Sequence, residues 1–214
     1  MTQTVQMGVL PENLDYEHLC IEDPFLVFEK YLSGCVSMVD IVDSTFITAK
    51  LSPEQAGKYY MVFINAVTKI AQINGAKVVK NIGDSILFYF PESNNQTAAE
   101  KAVLCAQNMI MEIPKINLLL SKICLPHLKY RVSIDYGKII VGKCKVSLCE
   151  DIFGSTVNLC AKMNKCARPN SIIIGNDLYQ VVKKIKCFNI NQVSHINAGL
   201  IQKYPLYVVE KKLS

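Results

Sequence analysis

The run KVVKNIGDSILFYF, residues 77–90, constrains the fold most. Two β-prone segments flank Ile82-Gly83, and glycine at so tight a turn marks a hairpin. Segments of helical periodicity bracket it. Upstream, SPEQAGKYYMVFINAVTKIAQINGAK opens with an N-cap signal at Ser52 and Pro53 at the first helical position. Its apolar residues Tyr59, Val62, Phe63, Ala66, Val67 and Ile70 recur at helical spacing, and Gly75 stops it. Downstream, NQTAAEKAVLCAQNMIMEI reads as a helix ended by Pro114. CVSMVDIV reads as an earlier strand ending near Asp40, and YRVSIDYGKIIVGK as two strands turning at Tyr136-Gly137. FGSTVNLCAKMNKCA is a helix stopped before Pro169. SIIIG is a strand, NDLYQVVKKI a short helix, and two C-terminal strands end in YPLYVV. Strand, helix, hairpin, helix, strands is the split βαβ plan of a ferredoxin-like α+β fold, a central sheet with helices packed on it.

Residues 1–32 read as a separate N-terminal arm. Pro11 and Pro24 break any long helix, and the pattern from Leu14 to Leu32 predicts one or two short helices. Residues 33–214 read as one domain with no linker or internal repeat. No run approaches the roughly 20 apolar residues of a membrane span, and the N-terminus has no secretory pattern. Nine cysteines leave one unpaired in any disulfide scheme. Cys35, Cys105, Cys124 and Cys160 sit among apolar or small residues, the setting of reduced core cysteines in a cytoplasmic protein. The net charge is +5, with lysines gathered late at Lys183, Lys184, Lys186, Lys203, Lys211 and Lys212. They read as a solvated face. No zinc finger, aromatic RNA-binding motif or arginine cluster accompanies them, so nucleic acid is not an expected partner.

The chemistry begins at Asp84. A carboxylate at the mouth of the apolar run SILFYF is costly to bury unless something positive meets it. Asp40 ends the first strand, which can neighbour the hairpin in a ferredoxin-like sheet. Two carboxylates at adjacent strand ends can share divalent cations, and Mg²⁺ favours one or two carboxylates together with phosphate oxygens and water.

Four motifs resemble the class III nucleotidyl (adenylyl/guanylyl) cyclase catalytic domain. They are MVDIVDST, VVKNIGDSILFYF, YRVSIDYGKIIVG and DIFGSTVNLCAKMNKCARPNSIII, in family order over about residues 33–209. The resemblance implies that Asp40 and Asp84, with the main-chain carbonyl of Ile41, hold two Mg²⁺ or Mn²⁺ ions. It implies that Lys80 and Asp151 contact the purine and that Asn158 orients the ribose. Lys162 stands where the family normally carries an arginine on the reacting phosphate. Lys203 is the nearest candidate for a lysine on the terminal phosphates. The family's sites lie between two chains, so a homodimer with shared sites is expected.

Residue chemistry bears on these roles. Adenine offers an acceptor at N1 and a donor at its exocyclic amine, which a lysine and an aspartate match, whereas guanine is mismatched. Lys80 also fits an edge-strand lysine that blocks aggregation, and Asp151 a charge at a helix N-terminus. Ser44 and Thr45, in DSTFIT, suit a phosphate turn or plain helix caps. Asn158 is a poor helix former mid-helix, as a functional residue or an exposed one without purpose.

The expected reaction is attack of the ribose 3′-oxygen on the α-phosphorus of ATP, giving 3′,5′-cyclic AMP and pyrophosphate. Lysine at 162 keeps the charge but loses the planar fork of arginine, so a slow adenylate cyclase is expected. The alternative is a catalytically quiet nucleotide-binding module that uses the same pocket.

Overall fold

The computed structural model describes residues 26–92, 98–144, 149–185, 188–197 and 203–211. Strand β1 (Leu26–Ile41) is followed by the one-turn helix α1 (Ser44–Thr48), the long helix α2 (Pro53–Ile73), and the hairpin of β2 (Lys77–Ile82) and β3 (Ser85–Pro91). Helix α3 (Ala98–Lys122) leads to β4 (Tyr130–Cys144) and β5 (Glu150–Phe153). Then come α4 (Ser155–Asn164), β6 (Ile172–Gly175), α5 (Asn176–Val182), β7 (Phe188–Ile196) and β8 (Tyr204–Lys211). The sheet runs β2-β3-β1-β4-β6-β8-β7, with β5 on β4 off this path. Its first four strands have the ferredoxin-like order, with every neighbour antiparallel.

Local chemistry explains the elements that match expectation. The Ser52 hydroxyl accepts from the Gln55 N–H, and the Gln55 side chain accepts from the Ser52 N–H, a reciprocal capping box. Gly75 and Gly83 take positive φ, +85° and +61°, where side chains are strained. The run SILFYF is apolar throughout because both faces of β3 are covered. Ile86, Phe88 and Phe90 join the larger core with Tyr59, Phe63 and Val67 of α2 and Val103 and Met109 of α3. Leu87 and Tyr89 point to the opposite face, against Val36, Val141 and Cys160.

Three expectations of secondary structure fail. Helix α3 continues through Pro114 to Lys122. Pro114 is exposed, while Ile113, Ile116 and Leu120 stay buried at helical spacing. Their burial outweighs a proline cost of about 3 kcal/mol. Strand β4 does not turn at Tyr136-Gly137 but runs unbroken. Gly137 is there for close approach: a Cβ on it would lie 2.5 Å from Thr156 Oγ1, whose hydroxyl donates to the Lys138 carbonyl at 3.0 Å. Leu26–Leu32 are strand and not helix, since pairing with β4 from Cys144 to Ile139 overrides the helical spacing. The rest of the expected arm, residues 1–25, lies outside the described residues. Cys35, Cys105 and Cys160 are buried as expected, but Cys124 is exposed in the turn after α3.

A buried carboxyl ties the far half of the sheet together. Asp135 of β4 is 1% exposed and accepts from the Tyr204 hydroxyl at 2.9 Å, the Tyr136 N–H at 2.9 Å and the Leu178 N–H at 3.4 Å. The Tyr204 hydroxyl accepts in turn from the Asp177 N–H at 2.9 Å. Burial pushes the Asp135 carboxyl up to about 7 against these hydrogen bonds, with the Asp177 charge adding to the rise. A folded-state pKa above the unfolded one means the native protein holds this proton more tightly. The contribution is therefore full below about pH 4 and is lost as pH rises through about 7. Denaturant titrations at pH 5 and pH 8 should show a loss on the order of 1–4 kcal/mol at the higher pH, and Asp135→Asn should flatten that difference.

Candidate active site

The two aspartates meet where β1 ends and β3 begins. Asp40 lies opposite Ser85 in the ladder, and Asp84 occupies the turn just before it. The Ile41 N–H donates to the Asp84 carbonyl at 3.2 Å, which pins the β1 end to the hairpin turn. The Ser85 hydroxyl donates to Asp40, and the Ser44 hydroxyl donates to Asp84. Burial pushes the Asp40 carboxyl up. The Ser85 hydrogen bond opposes the shift, the Asp84 charge adds to it, and Arg131 and Lys165 offset it. Ser44 thus supports a carboxylate rather than capping α1, whose N-cap is Asp43 at φ +57° with no side-chain cap bond. Thr45 is exposed at the start of α1.

These donors fit a hard divalent cation. Both side chains are carboxylates, and Ile41 is the adjoining residue. Among the described residues no cluster of three or more His, Cys, Asp or Glu side chains exists. A Mg²⁺ or Mn²⁺ held here would therefore fill its shell from main-chain carbonyls, water and phosphate oxygens.

Arg131 was not anticipated from the sequence. It sits across from Asp40 in the β1–β4 ladder, with its Nε 3.4 Å from Asp40 Oδ2. That Nε is buried and makes no hydrogen bond, so the contact is one of charge alone. A guanidinium beside two carboxylates can turn its other donors to a phosphate. A signal was present: the chain has only two arginines among 23 basic residues, and this one opens a strand.

Lys80 and Asp151 come together within one chain. Lys80 lies on β2, the edge strand, and its ammonium pairs with the carboxylate of Asp151 on β5, 71 residues away in sequence. The other Asp151 oxygen accepts from the Ile152 N–H at 2.8 Å. Asp151 is a strand residue opposite Gly142, not a helix N-terminal charge, because α4 starts only at Ser155. A donor and an acceptor stand side by side, as a purine edge requires.

Asn158 and Lys162 lie one turn apart on α4, and both are exposed. The opposite face of α4, with Cys160, Met163 and Asn164, is buried on the sheet. Among the described residues neither side chain bonds to Asp40 or Asp84. Lys203 is exposed just before β8. Val209 is level with Ile172 and Val132, beside the Asp40–Arg131 pair, so Lys203 lies toward the other end of the sheet. Among the described residues, no hydrogen bond or ion pair within one chain joins Lys80, Asp151, Asn158, Lys162 or Lys203 to Asp40 or Asp84. A second unforeseen residue fixes α4: the amide of Asn164, 3% exposed, donates to the Met38 carbonyl at 3.1 Å, Ser133 Oγ at 3.2 Å and the Arg131 carbonyl at 3.4 Å.

A family model described as the adenylate and guanylate cyclase catalytic domain matches residues 27–209. The chain belongs to this family. A cyclase named adenylate cyclase from Streptomyces coelicolor is 25% identical over 139 residues, covering 65% of this chain and 31% of its own length. The soluble guanylate cyclase gcy-31 of Caenorhabditis elegans is 23% identical over 187 residues, 86% of this chain and 26% of its own length. This cyclase domain thus spans less than a third of either relative. In fold it is similar to the adenylyl cyclase CyaB from P. aeruginosa, with TM-score 0.77 at 20% identity, covering 86% of this chain and 96% of that one. Among the described residues no helix is long and apolar enough to cross a membrane.

Stability should separate site residues from scaffold residues. The Lys80–Asp151 pair is 42% and 25% exposed, so Lys80→Ala should cost under about 1 kcal/mol in denaturant unfolding. Asn164→Ala should cost about 1–3 kcal/mol, because it leaves buried acceptors unmatched.

Proposed function

We propose that the chain is an adenylate cyclase that converts ATP to 3′,5′-cyclic AMP and pyrophosphate at sites shared by two copies of the chain. The observation that carries the adenine preference is the Lys80–Asp151 pair. Its ammonium would donate to adenine N1 and its carboxylate would accept from the exocyclic amine. The two relatives above are named for different purines, so this pair is the basis of the choice.

Each side chain has one task. Asp40 and Asp84, with the Ile41 carbonyl, would hold two divalent cations. Bound there, these would lower the pKa of the 3′-hydroxyl and neutralise triphosphate charge. Ser44 and Ser85 keep the carboxylates aimed. Thr45 and Arg131 border the same end of β1 and would face the phosphates. Asn158 would fix the ribose so that its 3′-oxygen lies in line with the α-phosphorus. Lys162 would place positive charge on that phosphate as negative charge builds, and Lys203 would hold the terminal phosphates. Lysine supplies charge without the two-pronged grip of arginine, which fits slow turnover.

Placement supports the shared site. Asn158 and Lys162 are exposed on a face turned from the sheet, and Lys203 lies far from Asp40 along β8. A second chain would bring its Lys80, Asp151, Asn158, Lys162 and Lys203 to the carboxylates of the first, and a two-fold axis would make two such sites. Val27, Phe28 and Tyr31 of β1 leave apolar surface exposed for such a contact.

The test is direct. Purified protein with Mg²⁺ or Mn²⁺ should form cyclic AMP from ATP faster than cyclic GMP from GTP. Asp40→Asn and Asp84→Asn should abolish the divalent-dependent rate, and Lys162→Arg should raise it. ATP binding without turnover would instead support the quiet module, and faster GTP turnover would overturn the purine assignment.

Assembly has its own readout. Asp40→Ala and Asn158→Ala proteins should each be inactive. Refolded together, about half the dimers are mixed with one intact site each, so activity should return to about one quarter of the parent. No recovery despite proven subunit exchange would place the whole site within one chain.

A further inference from the structure

We infer that Cys144 and Cys149 form a reversible dithiol–disulfide site that reacts with low-molecular-weight disulfides such as oxidised glutathione. The β4–β5 ladder pairs Gly142 with Asp151 and Lys143 with Glu150. The next pair outward is Cys144 and Cys149, and the Cys144 N–H donates to the Cys149 carbonyl at 3.2 Å. Residues opposed in a hydrogen-bonded antiparallel pair have Cα atoms about 5.5 Å apart and side chains on the same face. That spacing falls inside the roughly 4.4–6.8 Å that a disulfide spans. Cys144 is half-buried and Cys149 exposed, so a small oxidant reaches the pair from solvent.

The other described cysteines lack this combination. Cys35, Cys105 and Cys160 are buried, and burial pushes the Cys105 and Cys160 thiols up to about 12, which keeps them from exchange. Cys124 and Cys166 are exposed but lie outside the strands, with no cysteine across a ladder from them.

The step balances without any group from the site. The Cys149 thiolate attacks one sulfur of oxidised glutathione, forms a mixed disulfide and releases one glutathione thiolate. The Cys144 thiolate then attacks the Cys149 sulfur and releases the second. The protein loses two hydrogens and two electrons, and the glutathione disulfide gains them as two thiols. Excess reduced glutathione runs the same steps backwards.

The bond would clamp the hairpin two residues before Asp151. Strand β5 has only four residues and is held to the sheet through β4. A link at the turn end of the ladder restrains the start of the strand that carries the carboxylate facing Lys80. Amide exchange at residues 150–152 should slow about tenfold in the oxidised protein.

The test uses the full chain and needs no cyclase activity, so it stands apart from the proposed reaction. The protein is equilibrated in a series of glutathione redox buffers, thiols are blocked, and peptides are mapped without reduction. The expected result is an intrachain Cys144–Cys149 link that dithiothreitol removes, with slower exchange at 150–152. The link should persist in a C124S/C166S variant. Finding these two cysteines unlinked, in lasting glutathione adducts, or joined to other cysteines across the whole series, with circular dichroism still native, would overturn the inference.

Discussion

Strand β1 is hydrogen-bonded along both edges, to β3 on one side and β4 on the other. Everything at the site inherits its position from that double pairing. Asp40 sits between Ser85 and Arg131 because those residues are its partners in two ladders. Asp84 comes alongside because the hairpin turn falls one residue before the register ends. Slipping β1 by one residue would turn Asp40 to the other face and swap Val36 and Val39 between the two core clusters they now fill, so the core and the carboxylates are fixed together.

The two faces of the sheet are used differently. Helices α2, α3 and α5 bury one face in the larger core, where Tyr130 donates to the Met109 carbonyl and packs on Phe63 at a ring distance of 5.9 Å. Among the described residues the other face carries α4, over smaller clusters. The candidate site residues belong to this thinner side and to the sheet's ends. Charge there is loosely matched: Asp40 has one off-line guanidinium, and the Lys80–Asp151 pair is partly exposed.

Much of this was legible in the sequence, for physical reasons. Ser52, Pro53, Gly75 and Gly83 act locally, so their caps and turns read directly. The hairpin and Asp84 read from one short segment, and Asp40 from the end of the strand CVSMVDIV. Long-range facts did not read. Pro114 looks like a stop because its cost is local, whereas the burial that overrules it comes from distant strands. Gly137 looks like a turn because the hydroxyl that needs its missing Cβ is 19 residues away in sequence, on Thr156. Leu26–Leu32 kept helical spacing, but β4 supplied a partner. Asn164 and Arg131 gave only faint signals, since their roles depend on strands brought together by folding. The resemblance implies only that Lys80 and Asp151 contact the purine, and no local pattern announces their contact with each other.

The single amide of Asn164 has a mechanical meaning. It spans from α4 to main-chain atoms of both β1 and β4, two residues before Asp40 on one strand and at Arg131 itself on the other. Gly137 lets the first turn of the same helix rest against β4 with no intervening side chain. Pinned at both ends, α4 and the sheet move as one body. Any opening or closing around a bound molecule is therefore left to elements such as the short α1 and the hairpin turn, and not to α4 sliding over its own sheet.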